Sequence, residues 1–560
     1  MLFTFRSFTK RRTCLAAGLL VLALLPLCIL SCMARDTTVA VVLVSVKSPD
    51  VEWLHAAGMP ETQVCGPEGQ LPLWPAALEA LEQLSLPEGF RWAKAAEPKK
   101  PVVYVQLSVG LAVHETPPGT SALGEAASTM AGSTATGSAA DVAFGAAGSA
   151  AAVADSGSSL LLDSRWLAVP VPWNHDRLGY SFSDPECAPS ALVALETIAA
   201  PWRAAVVDGL LPGESGYALE LRATLNVQST DSVLQQAVYE QLAVALPTPA
   251  RPYILGAVGD IVIEAPGQAF LEWSDWDLSA LLPGLVPYLR SRDLLLANLE
   301  APVSLGGEPN MIKRFRFRHH PKVLDALREA GFDFLSFANN HTLDYGPEAF
   351  ADTLQYLRQS GMAWAGAGSD LEEALRPAKL TLPDGTRLAV FAFADYPVES
   401  RGFKPADAAA GPEQPGILTD AELLRTAIAE AAAEGYFVVV MPHAGFEYVQ
   451  RPHASIKQLY RSFVAAGADL VLGSHPHVLQ GLEAYAGGVI LYSLGNFLFT
   501  QLDEPPVAQK SAVFSFVMYD GQLRGYSLLP VRALNDYTVP ESDRQKAERE
   551  FMALIPLIGE

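Results

Sequence analysis

Ala468–Gln480 reads ADLVLGSHPHVLQ, and its two halves ask for different surroundings. Leu470, Val471 and Leu472 are consecutive large apolar residues, the pattern of a short strand covered on both faces, as in a parallel sheet. Gly473-Ser474 ends the run, and His475 and His477 follow on either side of Pro476. Open α/β sheets place their ligands beyond the carboxyl ends of their strands. The proline stiffens this loop, so both imidazoles can face one centre from neighbouring positions. If the loop is a metal site, the missing ligands must sit at the ends of other strands.

From Pro252 onward that design recurs. Tyr253–Val258 runs into Gly259-Asp260, Leu294–Ala297 into Asn298-Leu299-Glu300, and Phe332–Ala338 into Asn339-Asn340-His341. Tyr436–Met441 runs into Pro442-His443-Ala444-Gly445-Phe446-Glu447, and Val489–Leu494 into Gly495-Asn496-Phe497. Helical patterns fill the gaps at Pro321–Ala330, Pro347–Ser360, Asp420–Glu434 and Ser455–Ala466. Strands alternating with helices predict a layered α/β domain over 251–535, with these polar residues on one rim. Oxygen and nitrogen donors without sulfur suit Mn, Fe or Zn. A neutral Asn beside carboxylates suggests a pair of divalent ions. Two such ions can bind both oxygens of a phosphoryl displacement. Singly, Asp260, Glu300 and Asn340 could each be a turn, surface or capping residue.

The blocks GDIVIEAP, ANLEAPV, GFDFLSFANNHTLDYG, HAGFEY, GADLVLGSHPHVLQG and YSLGNFLF, between Ile254 and Gln501, resemble in order and spacing the CapA-type poly-γ-glutamate capsule synthesis proteins. The domain of that family is calcineurin-like metallophosphoesterase in fold. The resemblance implies a four-layer α/β/β/α sandwich and a metal site of Asp260, Glu300, Asn340, His443, His475 and His477. It implies that His341 stands beside the metals as a general acid or anion-stabilising group, with Asn339, Glu447 and Asn496 near the substrate. Three departures stand out. Val262 occupies the place where phosphoesterases carry a second ligand, His, with Glu264 near enough in sequence to substitute. Glu300 replaces the usual bridging Asp, and Ala444 a tryptophan. The family shares the first two, so fold alone does not establish catalysis.

Lys313–Lys322, KRFRFRHHPK, is the one basic run. On a strand Arg314, Arg316 and Arg318 would share one face and could hold a phosphate or polyanion, or form the solvated side of an edge strand. The whole chain of 560 residues carries a formal charge of −22, which excludes non-specific nucleic-acid binding.

The N-terminal half is less explicit. Arg6, Lys10, Arg11 and Arg12 precede the apolar run Cys14–Leu30, and Ile29-Leu30-Ser31-Cys32 resembles a bacterial lipobox. Residues 1–31 read as a lipoprotein signal peptide with Cys32 as the acylated residue, the alternative being an uncleaved anchor helix. Either way the body lies outside the cytoplasmic membrane, tethered to it, where a membrane polymer synthase could be a partner. Cys65 and Cys187 are either a disulfide or two buried thiols. Strands are expected at Thr37–Val46 and Pro101–Val113 with a helix at Pro75–Leu86. An Ala/Gly/Ser-rich insertion over 116–159 is too poor in large apolar residues to fold by itself. Val206–Gly209, Pro212 and Tyr217–Leu219 are similar to a segment of periplasmic solute-binding-type domains, which implies a smaller α/β domain over 32–250. A purely structural module fits the same residues. Residues 536–560 form a charged tail with a peripheral helix at Glu541–Leu554.

Overall fold

A computed structural model describes residues 251–500, 505–555 and 558, together with separate stretches between Val39 and Glu240. The leader through Cys32, the 75–86 segment, Cys65, Cys187 and residues 116–158 lie outside the described residues. The chain divides into two compact units. In the first, Val39–Leu43 lies parallel between Phe90–Ala93 and Val102–Leu111, and residues 221–228 run antiparallel to the last of these.

The second unit takes Arg165–Glu220 as well as Arg251–Glu560, a wider span than the 251–535 expected. Its larger sheet runs in the order Ala363–Ala365, Phe334–Ser336, Leu294–Leu299, Tyr253–Val262, Lys510–Tyr519, Gln522–Ala533, Trp202–Ala204, Pro170–Pro172. The first four are mutually parallel, as buried apolar runs joined by helices should be. The last two explain the wider span. Trp202–Ala204 adds to the edge of Gln522–Ala533 where Gly525 faces Ala204, and a Cβ at 525 would meet the Ala204 carbonyl at 2.6 Å. Buried Arg203 lies over the Tyr526 ring, and Trp173 stacks on the same ring.

The smaller sheet runs Ala378–Thr381, Arg387–Asp395, Phe437–Ala444, Leu470–Leu472, Gly488–Leu491, Leu482–Tyr485. Along Arg387–Asp395 the side chains alternate between two cores. Leu388, Val390 and Ala392 join the core shared with the larger sheet, while Ala389, Phe391 and Phe393 join the core under helices Ala421–Ala433 and Ala454–Ala466. Helices Lys322–Glu329 and Gly346–Ser360 bring Leu327, Phe350 and Leu354 to the larger sheet's core. Helix ends follow local chemistry. Asp420 accepts from the amides of Glu422 and Leu423, and Gly361 and Gly467 close their helices with positive φ. The tail helix, Arg544–Met552, is packed rather than peripheral: Phe551, Met552 and Leu554 are buried, with Phe551 edge-on to Phe514.

Candidate metal centre

Asp260 is set by a close approach of two backbones. Its amide donates to the Gly495 carbonyl at 3.0 Å, and the pairing of Tyr253–Val262 with Leu294–Leu299 slips between Ala257 and Asp260. A Cβ on Gly259 would lie 1.7 Å from that same carbonyl oxygen, so glycine is obligatory there. The slip brings Asp260 opposite Asn298, whose Nδ2 donates to Asp260 Oδ1 at 2.8 Å. Glu300, two residues on, shares the face of Asn298.

The His-Pro-His turn is held in an unfavourable backbone. His475 has φ +92° and His477 φ +56°, and a residue before proline ordinarily stays extended. Such conformations cost of order 1–3 kcal/mol each and gather at functional sites. Both rings reach the centre. Glu300, His475 and His477 form one group of potential ligands, and Asp260, Glu300 and His443 a second, with donor atoms in each within 4.8 Å of one another. Glu300 belongs to both.

His443 shows which way its ring faces. Nδ1 lies 3.0 Å from Ser474 Oγ and 3.2 Å from Asn298 Nδ2. Nε2 points to the centre, 2.8 Å from Asn340 Oδ1, 3.1 Å from His475 Nδ1 and 3.4 Å from Glu300 Oε1. His477 Nδ1 lies 2.8 Å from Asn496 Oδ1 and 3.3 Å from Asp260 Oδ2. Asp260 Oδ2 and both Glu300 oxygens are buried without a hydrogen-bond partner. Buried carboxylate oxygens are ordinarily satisfied, because leaving them bare is costly. Three bare oxygens facing imidazole nitrogens and an amide oxygen fit a divalent cation, a closed set of N and O donors.

The electrostatics point the same way. Burial and the neighbouring Asp260 push the Glu300 carboxyl well above its usual range. Burial and the adjacent His475 hold His443 well below the ordinary imidazole value, and burial with His477 does the same to His475. Burial opposes charge on His477, yet the facing Glu300 and Asp260 carboxylates lift it to about 10. Two carboxylates in a dry pocket recruit positive charge from whatever is at hand.

His341 stands apart from both ligand groups. Its Nδ1 is 2.7 Å from Asp344 Oδ2 and its ring lies against Phe317. Asn339 is committed to the scaffold: its Nδ2 donates to the Leu299 carbonyl and its Oδ1 accepts from the His341 amide. Asn496 keeps a buried, unpartnered Nδ2, while Glu447 is exposed on the loop after Phe437–Ala444. Glu264 accepts from the Arg318 amide instead of joining the ligands, and Val262 packs with Ala301, Phe317 and Phe499. The strand expected for the basic run is not formed. Its one bridge is His319 to Val303, and the arginines have no common face on a sheet. Arg316 donates to the Lys313 carbonyl, Arg318 donates to the Gly306 carbonyl and stacks on Tyr345, and Arg314 is exposed. Sequence reasoning assigned no role to Asn298, Ser474 or Asp344. Asn298 at i−2 of Glu300 and Asp344 at i+3 of His341 were detectable from spacing.

Residues 254–501 match the family of bacterial capsule synthesis protein PGA_cap. This domain belongs to that family. The PGA biosynthesis protein CapA of Bacillus subtilis (strain 168) is 34% identical to the chain over 246 residues, 44% of this chain and 62% of that protein. The capsule biosynthesis protein CapA of Bacillus anthracis is 36% identical over 223 residues, 38% of this chain and 52% of its own. The chain thus spans less than two thirds of these relatives' length. Among solved structures, the 5'-nucleotidase from Candida albicans SC5314 is similar over 53% of this chain and 54% of its own, at 12% identity and TM-score 0.29. Within the PGA_cap domain, the match ends at 501, just past Asn496 and Phe499, so the two ligand groups lie wholly inside it.

Proposed function

We propose that the PGA_cap domain is a metallophosphoesterase-like α/β/β/α sandwich whose centre would hold divalent cations, in the service of capsule polymer synthesis at the cell envelope. The observation that carries this reading is the trio of buried, unpartnered carboxylate oxygens on Asp260 and Glu300 among three histidines. Asp260, Glu300, Asn340, His443, His475 and His477 would hold the ions. Bound cations supply Lewis acidity and charge neutralisation toward a phosphoryl or carboxylate oxygen. The protein's own part is positional. Asn298 and Ser474 fix His443, and Asp344 holds His341 by Nδ1, which leaves Nε2 to exchange a proton with a substrate oxygen. Asn496 Nδ2 is a donor available to an anionic group, and Arg314 and Glu447 lie on exposed loops that a polymer could reach.

Val262 supports a second reading. It places an apolar cluster where phosphoesterases carry a ligand, so the pocket would bind an anionic polymer for export beside a membrane synthase without turning it over. In both readings the protein is anchored by lipid on Cys32, outside the cytoplasmic membrane. Among the described residues no helix is long and apolar enough to cross a membrane. Metal analysis and assay of a generic phosphodiester separate the two. Bound metal with turnover, lost in His341→Ala while metal is kept, supports the enzyme. Metal-poor protein that binds poly-γ-glutamate tightly supports the second reading, and failure of both tests removes both.

A further inference from the structure

Lys313 is fully buried, and lysine is almost never found so unless paired. Its ammonium makes two hydrogen bonds and a longer ion pair. Nζ lies 2.5 Å from the main-chain oxygen of Asn340, 2.5 Å from Glu399 Oε1 and 3.3 Å from Asp344 Oδ1. Nζ also lies over the Phe403 ring, 4.3 Å from its centroid. These partners come from two separate segments. Asn340 and Asp344 bracket His341 in the turn after strand Phe334–Ser336, whereas Glu399 and Phe403 belong to the strap that follows strand Arg387–Asp395. Glu399 Oε1 also meets Asn340 Nδ2 at 3.3 Å, while Asn340 Oδ1 faces His443. Asp344 in turn holds His341, and its Oδ2 accepts from the Phe317 amide.

We propose that Lys313 is a positioning residue that clamps the Asn340–Asp344 turn to the Glu399 strap, and so fixes both the amide offered to the cation and the ring of His341. A compact ammonium suits this place. Arginine's planar fork could not reach three acceptors arrayed around one point. The inference rests on the metal reading for Asn340 but not for His341, and its test separates the two.

The test uses full-length protein, cobalt(II) as the probe and selective 15N-histidine labelling. The variants are Lys313→Met and, because a buried lysine's loss can impair folding, Glu399→Ala at a partly exposed position. Wild type is expected to bind cobalt(II) with a visible spectrum. Both variants should weaken binding, Lys313→Met by tenfold or more, and shift that spectrum, with Glu399→Ala folded as wild type. Both should also shift or broaden the His341 ring signal, assigned by its loss in His341→Gln. If wild type binds no cobalt, the metal reading falls and the His341 signal alone decides the clamp. A folded Glu399→Ala with unchanged cobalt spectrum and unchanged His341 signal overturns the proposal.

Discussion

The turn at 473–477 and the run at 313–318 are both short loops beside the same pocket, yet only the first brings its two candidate side chains together as the sequence suggests. In the turn, position dictates role: a buried three-residue strand ends, and the next polar side chains have nowhere to go but the centre. In the run, the expected alternation breaks at Phe315, which is exposed, and no sheet forms. Lys313, Phe317 and His319 are buried while Arg314, Arg316 and Arg318 are exposed or half-buried. The inward lysine meets two carboxylates and the inward Phe317 meets His341 and Phe499. The lesson is that an alternating sequence fixes which side chains face in only where a sheet holds the strand straight.

The largest effect should come from tightening the approach that sets the turn's side of the pocket. Gly259→Ala drives a Cβ into the Gly495 carbonyl, where neither backbone can yield. Loss of more than about 4 kcal/mol, or insoluble protein, is expected in urea unfolding. A stable variant would mean that the Asp260 strand has slack the account denies it.

Next, the inward and outward members of the run should separate. Phe317→Ala should cost about 3 kcal/mol, whereas Phe315→Ala and Arg314→Ala, both exposed, should stay within about 0.5 kcal/mol. Equal costs at 315 and 317 would erase the distinction between the exposed and the buried aromatic ring.

A smaller, pH-dependent effect belongs to His319, which accepts from the Ile263 amide and is held by burial at about 3. Its folded value lies below the unfolded imidazole value, near 6.5. The folded chain therefore refuses a proton that the unfolded chain takes. Stability is full above about pH 6.5 and falls toward pH 3, by at most about 1.4 kcal/mol per pH unit. Urea midpoints of His319→Asn, measured between pH 4 and 6.5, should fall less steeply than wild type. Identical slopes would remove His319 from the acid response.

Much of the second unit was legible because long apolar runs and capped amphipathic stretches carry their structure locally. Leu470–Leu472 was marked to the residue, and the four named helices lie within a residue or so of their expected limits. What escaped depends on distant partners. Pro170–Pro172 and Trp202–Ala204 are three-residue strands whose place is decided by Gln522–Ala533. The tail helix reads as charged because only its last turn is apolar, and that turn is what packs. Of the site, the side chains that face the pocket could be inferred from strand ends. Of those that aim them, Asn298 and Asp344 lie close in sequence to the pocket residues Glu300 and His341, but two were out of reach: Ser474 acts on His443, 31 residues away, and Lys313 on Glu399, 86 residues away.

The His-Pro-His turn should be half of a metal centre, and His341 should lie outside it. Metal content of purified wild type, His475→Ala, His477→Ala and His341→Ala measures this directly. Removing either loop imidazole leaves Asp260 and Glu300 facing each other with a ligand missing, so affinity should fall steeply. Bound divalent metal is expected in wild type and His341→Ala, and little in the two loop variants. Equal metal in all four proteins would reduce the turn to a structural element and contradict this expectation.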